Sequence, residues 1–356
     1  EISQGGTLRD RTSLLGDIIH STPVAVSRTQ ASAPFDNLPG TEGSSYTAFL
    51  DTKASITEVV FVGSNDGMLH VFNAADGAEV MAYVPEGVFS KLSLLTDPTY
   101  DHSFFVDGVL TASDAFIGGS WKTVVVGSLG RGGNTVFAID ATNIESPTEA
   151  NVLWEFEDPE LGNVIGKPQI ARLNNGAWAV IIGNGYNSAE EDPQLFIIDL
   201  ETGTLLAKLE AGGISDAGDN GLGTPLVVDI DGDIIADTVY AGDLKGNLWK
   251  FDLSASSSAS WNVAFSNSPL YQAFSPSGSA QPITTKPVIA SHPSGGVVIL
   301  FGTGRFFAQG DEIVDEGSPE VDTFYGIRDN GVTVTSVAAR SLPPGGQPNT
   351  VLQPQS

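Results

Sequence analysis

The chain contains no cysteine, which excludes disulfides, thiolate metal sites and a cysteine nucleophile. That absence leaves the compartment open, because a large β-domain has core enough to hold without covalent staples. Basic residues are scarce, with 16 Lys and Arg against 43 Asp and Glu and a net charge of −27. A nucleic-acid backbone needs clustered cations, so that class of ligand is excluded, whereas divalent cations are attracted. No apolar run reaches the roughly 18 residues of a membrane-crossing helix. The opening residues EISQGGTLRD have no Met, basic region or apolar region of an export signal, so the chain reads as a mature fragment or an excised domain.

The helical period is also nearly absent. Beyond the first thirty residues, only EGVFSKLSLLTD (86–97) suggests a short helix; elsewhere apolar residues come in short runs flanked by Gly, Asn, Asp or Pro. Glycine is abundant, with 41 residues spread between those runs, as expected for an all-β chain with many tight turns.

Internal similarity sharpens the fold class. TEVVFVGSNDGMLHVFNAADGAEVMAYV (57–84) reads as strand, Gly-rich turn, strand, Asp-Gly turn, strand. The phrase returns from KTVVVGSLG, from WAVIIGNGY and from DTVYAGDLKG, and in degenerate form from GVVILFGTG. One more strand precedes each copy, within HSTPVAV, SFFVDGVL, GKPQIARL, GTPLVVDI and TKPVIAS. Four strands per unit define a β-propeller blade. The units span about 16–85, 102–158, 166–210, 223–266 and 284–338, with a tail at 341–356. The second strand of each unit carries a glycine at its end (Gly63, Gly127, Gly183, Gly242, Gly302), and Tyr83, Trp154, Leu206 and Trp261 recur at the outer strand. A solenoid or a string of sandwiches would seldom keep one glycine at one strand end.

The fourth unit holds the densest acidic cluster, VVDIDGDIIADTVY. Counted from Asp229, oxygen side chains stand at positions 1, 3, 5 and 9 (Asp229, Asp231, Asp233, Asp237), and Ile235 at position 7 can offer its carbonyl. Carboxylates so close repel unless a cation sits among them, and this spacing suits one Ca²⁺ bound by carboxylates and a carbonyl. It is no EF-hand: Ile234 stands where the turn glycine belongs, Tyr240 where the bidentate Glu belongs, and strands flank the loop. Mg²⁺ fits less well, since it demands a strict octahedron and keeps its waters. The plain alternative is a solvated acidic turn. SAEED and QGDEIVDEG lack the register, while Asp216 and Asp219 in SDAGDNG are further carboxylates that could approach the metal.

On GDIIHSTPVAV (16–26), VVFVGSNDGMLHVFNAADGAE (59–79), VDIDGDIIADTVYAGDLKGNLWKFDL (228–253) and PVIASHPSGGVVILFGTGRFF (287–307), the sequence resembles the C-terminal propeller of the PilY1 family, tip-associated proteins of bacterial type IV pili. The resemblance implies a modified, quinoprotein-type propeller of seven blades, larger than the five units seen, so the last blades are expected to be missing. It implies one Ca²⁺ loop of D-x-D-x-D-x-x-x-D form on Asp229, Asp231, Asp233, Ile235 (carbonyl) and Asp237. It also implies a non-catalytic protein whose calcium occupancy is linked to pilus extension and retraction, twitching motility and surface attachment. Export to the cell surface or pilus follows, as do pilin or minor-pilin partners and contact with a host or abiotic surface. No Arg-Gly-Asp tripeptide occurs, only RGG at 131–133, so integrin binding is not carried over.

Other classes fit less well. Quinoprotein oxidoreductases share the blade phrase but often hold their quinone with adjacent cysteines, absent here. His20, His70, His102 and His292 are scattered, without the H-E-x-x-H or G-x-S-x-G pattern of hydrolases. GSLGRGGN and GTGRFF lack the helix and Lys of a phosphate loop and read as turns. A generic propeller scaffold, or an integrin-type repeat protein, would carry several calcium loops rather than one.

Overall fold

The computed structural model describes residues 1–11, 13–28, 33–213, 218–313 and 322–335. The expected tail at 341–356 and Asp216 lie outside the described residues. The rest forms five sheets in chain order, antiparallel save one parallel pairing described below. The first holds β1 (Val24–Val26), β2 (Val59–Gly63), β3 (Leu69–Asn73) and β4 (Glu79–Tyr83). The second holds β5 (Thr111–Ile117), β6 (Ser120–Ser128), β7 (Val136–Asp140) and β8 (Val152–Phe156). The third is built from β9 (Gln169–Leu173), β10 (Trp178–Gly183), β11 (Gln194–Asp199) and β12 (Leu205–Glu210).

In the fourth unit β13 (Leu226–Val228) is followed by a two-residue β14 (Ile235–Ala236), then β15 (Thr238–Gly242) and β16 (Asn247–Asp252). Its outer strand is broken into β17 (Asn262–Val263) and β18 (Tyr271–Gln272), both paired with β16. The fifth sheet has three strands, β19 (Val288–Ser291), β20 (Val297–Gly302) and β21 (Phe324–Asp329).

The apolar runs are continuous because the sheets stack face to face and bury both sides of their middle strands. On β6, Val125 packs toward Phe61, Leu69 and Val71 of the first sheet. Its neighbours Val124 and Val126 point the other way, toward Val180, Ile182 and Phe196 of the third. Ile181 and Ile197 then meet Val239, Trp249 and Phe251, and Tyr240 and Leu248 meet Ile299, Phe301 and Ile327. Four apolar layers thus separate five sheets, as propeller stacking requires.

Three of the five recurring glycines mark where the chain of the next unit passes close by, whereas a Cβ on Gly127 would meet Leu110 and Phe137 of its own unit and one on Gly302 would meet open space. A Cβ on Gly63 would lie 2.3 Å from Val106 O, one on Gly183 2.3 Å from Gly223 O, and one on Gly242 2.2 Å from Ile283 Cγ2. Outer tryptophans seal the same seams: buried Trp154 donates its indole N–H to Leu200 O at 2.9 Å and its ring lies over Gly203. At the centre, segments from all five units line a cavity of about 520 Å³.

Two local readings of the sequence are corrected by the structure. In the second unit the leading strand is β5, not SFFVDGVL, which passes Gly63 as buried irregular chain. The sequence also gave no sign of α1 (Gly40–Lys53), inserted between β1 and β2. Its Tyr46 Oη–H and Lys53 Nζ–H donate to the buried Asp114 carboxylate at 2.8 and 2.6 Å, and Thr123 Oγ1–H adds a third bond at 2.7 Å. A charge buried this deeply needs such partners. The stretch 86–97 is helical as read, but as a 3-10 segment (Glu86–Thr96).

Gly242→Ala should cost about 2 kcal/mol or more, because the methyl meets packed Ile283 rather than open space; urea denaturation would show it. A second test concerns His70, which bonds Asp66 (3.1 Å) and Glu79 (2.5 Å). The bond to Asp66, then that to Glu79, outweigh burial and raise the imidazole above its ordinary 6.5. A raised folded pKa gives stability that is full below the unfolded value and lost as pH rises through the folded one. His70→Gln should therefore destabilise the protein more at pH 5.5 than at pH 9, and equal losses in thermal melts would contradict it.

Candidate metal centre

The acidic loop leaves β13 and returns through β14 to β15, its neck closed by Asp237 N–H donating to Val228 O at 2.9 Å. Asp229 organises the turn, its two oxygens accepting Gly232 N–H (2.7 Å) and Ile234 N–H (2.7 Å). Asp237 Oδ2 accepts Ile230 N–H at 2.9 Å. Gly232 takes φ +87° without penalty, but Ile234 sits at φ +72°, where a β-branched residue is strained by about 1–3 kcal/mol. Ile234 and Ile235 offset that strain by packing against the core layer between the second and third sheets.

This fold of the turn gathers carboxylate oxygens of Asp229, Asp231 and Asp237 within 4.8 Å of one another. Each carboxylate keeps lone pairs beyond those used by backbone N–H groups, so the donor set suits a hard cation that takes oxygen ligands. Asp233 stands outside that trio, with Oδ1 accepting Ile235 N–H at 2.8 Å. Ile235 lies in β14. Partial loss of hydration, then the charges of Asp233, Asp237 and Asp229, hold the exposed Asp231 carboxyl above the usual range.

One feature could not be read from the sequence. β14 pairs in parallel with β9 of the third sheet, Ile235 opposite Arg172 and Ala236 opposite Leu173. Beside it, Asn174 Nδ2–H donates to Asp237 Oδ1 (3.1 Å) and to Ala236 O (3.2 Å). The loop therefore belongs to the seam between two sheets, and a side chain of one unit holds a carboxylate of the next. Asn174, in the turn LNNG, looks like any turn asparagine, so nothing marked it. Asp219 donates its backbone N–H to Glu191 (2.9 Å) instead. Elsewhere three histidines are engaged by carboxylates, His20 with Asp107, His70 with Asp66 and Glu79, and His102 with Asp17.

The family model of the PilY1 beta-propeller domain matches residues 15–356. The chain belongs to the PilY1 β-propeller family. Among PilY1 relatives, a type IV pilus biogenesis factor homolog of Xylella fastidiosa is 44% identical over 93% of this chain and 24% of its own length. The type IV pilus biogenesis factor PilY1 of Pseudomonas aeruginosa is 41% identical over 90% of this chain and 29% of its own. The chain thus spans about a quarter of the length of these relatives. The crystal structure of the Pseudomonas aeruginosa PilY1 C-terminal domain superposes with a TM-score of 0.76 at 37% identity, covering 88% of this chain and 67% of that one. Both the propeller class and the PilY1 resemblance expected from the sequence hold. No described helix is long and apolar enough to cross a membrane.

Because the charges of Asp229, Asp233 and Asp237 act against the Asp231 carboxylate, Asp231→Asn should raise the melting temperature measured in chelator. A fall in chelator would show that Asp231 is held by bonds rather than opposed by its neighbours.

Proposed function

We propose that this chain is the calcium-responsive propeller of a type IV pilus biogenesis factor. It is a non-catalytic part whose ion state bears on pilus extension and retraction, twitching motility and surface attachment. The observation that carries the reading is the Asp229, Asp231 and Asp237 trio, built into a segment that also pairs with the neighbouring sheet. In this reading Asp233 and the Ile235 carbonyl complete the ligands around one Ca²⁺. Four carboxylates around a dication keep a net charge of −2, against −4 in the metal-free loop, so binding removes much of the repulsion opposing β14. The pilus assignment rests on the relatives, each a type IV pilus biogenesis factor by name. It carries with it export to the cell surface or pilus, contact with pilins or minor pilins, and attachment to a host or abiotic surface.

Calorimetric titration of calcium into the metal-stripped protein should give one site, and the Asp229→Ala, Asp237→Ala variant none. At a free calcium concentration one hundred times Kd, the ion should stabilise the fold by about 2.7 kcal/mol. No binding, or several equivalent sites that survive the double substitution, would return the chain to a plain scaffold.

A further inference from the structure

The axial cavity departs in charge from the rest of this acidic protein. No Asp or Glu lines it, whereas His20, Arg131 and Lys167 do. The side chains of Arg131 and Lys167 have no hydrogen-bonding or ion-pair partner among the described residues. Arg131 instead lies 4.5 Å from the centre of the Phe104 ring. Lys167 precedes the proline that leads into β9, and Lys286 holds the matching place before β19. The two are close enough that, after burial, the charge of Lys167 lowers the pKa of Lys286, whose ammonium donates to Gln169 Oε1 at 2.7 Å. Two unpaired cations on the wall of a chain with net charge −27 make the cavity the less acidic part of the surface, although the buried Asp107 pairs with His20 and the charge of the buried Asp243 reaches Tyr186.

A second, independent observation concerns Tyr186. It lines the same cavity, is 4% exposed, and its hydroxyl is buried without a hydrogen-bond partner. Buried polar groups are rarely left so, and an orphan donor on a cavity wall marks a place for an acceptor. Its ring stacks on Phe307 at 4.5 Å and 16°, and Val164, Ile165 and Phe306 extend an apolar wall. The adjoining cavity, of about 300 Å³, shares Arg131 and Tyr186 but contains Glu191 and Asp219. Lys167 belongs to the larger cavity alone and Glu191 and Asp219 to the smaller alone, so an anion held by Arg131 is favoured on the Lys167 side.

We propose that the axial cavity binds a small organic carboxylate, its anionic group held by Arg131 and Lys167 with the Tyr186 hydroxyl as donor, its apolar body against Phe307 and Ile165. The volume lies within the usual range for such ligands, and charge-assisted bonds from Arg and Lys are the strong ones. The proposal is independent of the calcium reading, and its test keeps calcium constant.

Benzoate is titrated into the purified protein by ligand-observed NMR and calorimetry, beside benzyl alcohol and inorganic phosphate. Benzoate should bind at one site, with both controls weaker by about tenfold or more. Arg131→Gln combined with Lys167→Gln should weaken benzoate by about tenfold or more. Tyr186→Phe, which keeps the ring and its stack, should weaken it by about threefold without lowering the melting temperature. Three results would each overturn the proposal. One is no benzoate binding at tens of millimolar, and another is unchanged affinity in the folded double variant. The third is phosphate binding as tightly as benzoate, which would reduce the site to a general anion hole.

Discussion

At three of the four seams between sheets, the chain leading into the next unit passes the preceding second strand closer than a side chain allows. Gly63, Gly183 and Gly242 stand at these crossings, with Val106, Gly223 and Ile283 occupying the space a Cβ would take. Everything else depends on this approach. It sets the spacing at which Val125 can pack one way while Val124 and Val126 pack the other. It also brings residues of all five units around one central cavity.

The acidic loop exploits the same seam. Its charges face solvent at Asp231 and Asp233, while Ile234 and Ile235 turn inward. The packing that holds a β-branched residue at positive φ therefore fixes the spacing of the carboxylates. Charge repulsion and hydrophobic burial act on one short segment in opposite directions.

Much of this was legible because it is periodic or local. Five apolar phrases, five glycines and an aspartate register are patterns that repeat or occupy a few adjacent positions, and the observed sheets follow the phrases. What escaped has its cause at a distance. GTEGSSYTAFLDTK has two glycines and no apolar stripe, and α1 is secured by Tyr46 and Lys53 on an aspartate more than sixty residues away. SFFVDGVL is apolar because it is buried in passing, not because it pairs as a strand. β14 is two residues whose partner lies in another unit, and Asn174 is a turn residue until that pairing brings Asp237 to it.

The parallel pairing of β14 gives β9 an unusual station. One end of the strand follows Pro168 and the cavity-lining Lys167, and the other is clasped at Arg172 and Leu173 by the loop. At about 3.3 Å per residue, five residues make a strut of about 17 Å. It is paired with β10 along one edge and with β14 at its far end on the other, and of its five residues only Leu173 is fully buried. The acidic loop and the cavity wall thus share one short strand, whose two ends serve different units of the chain.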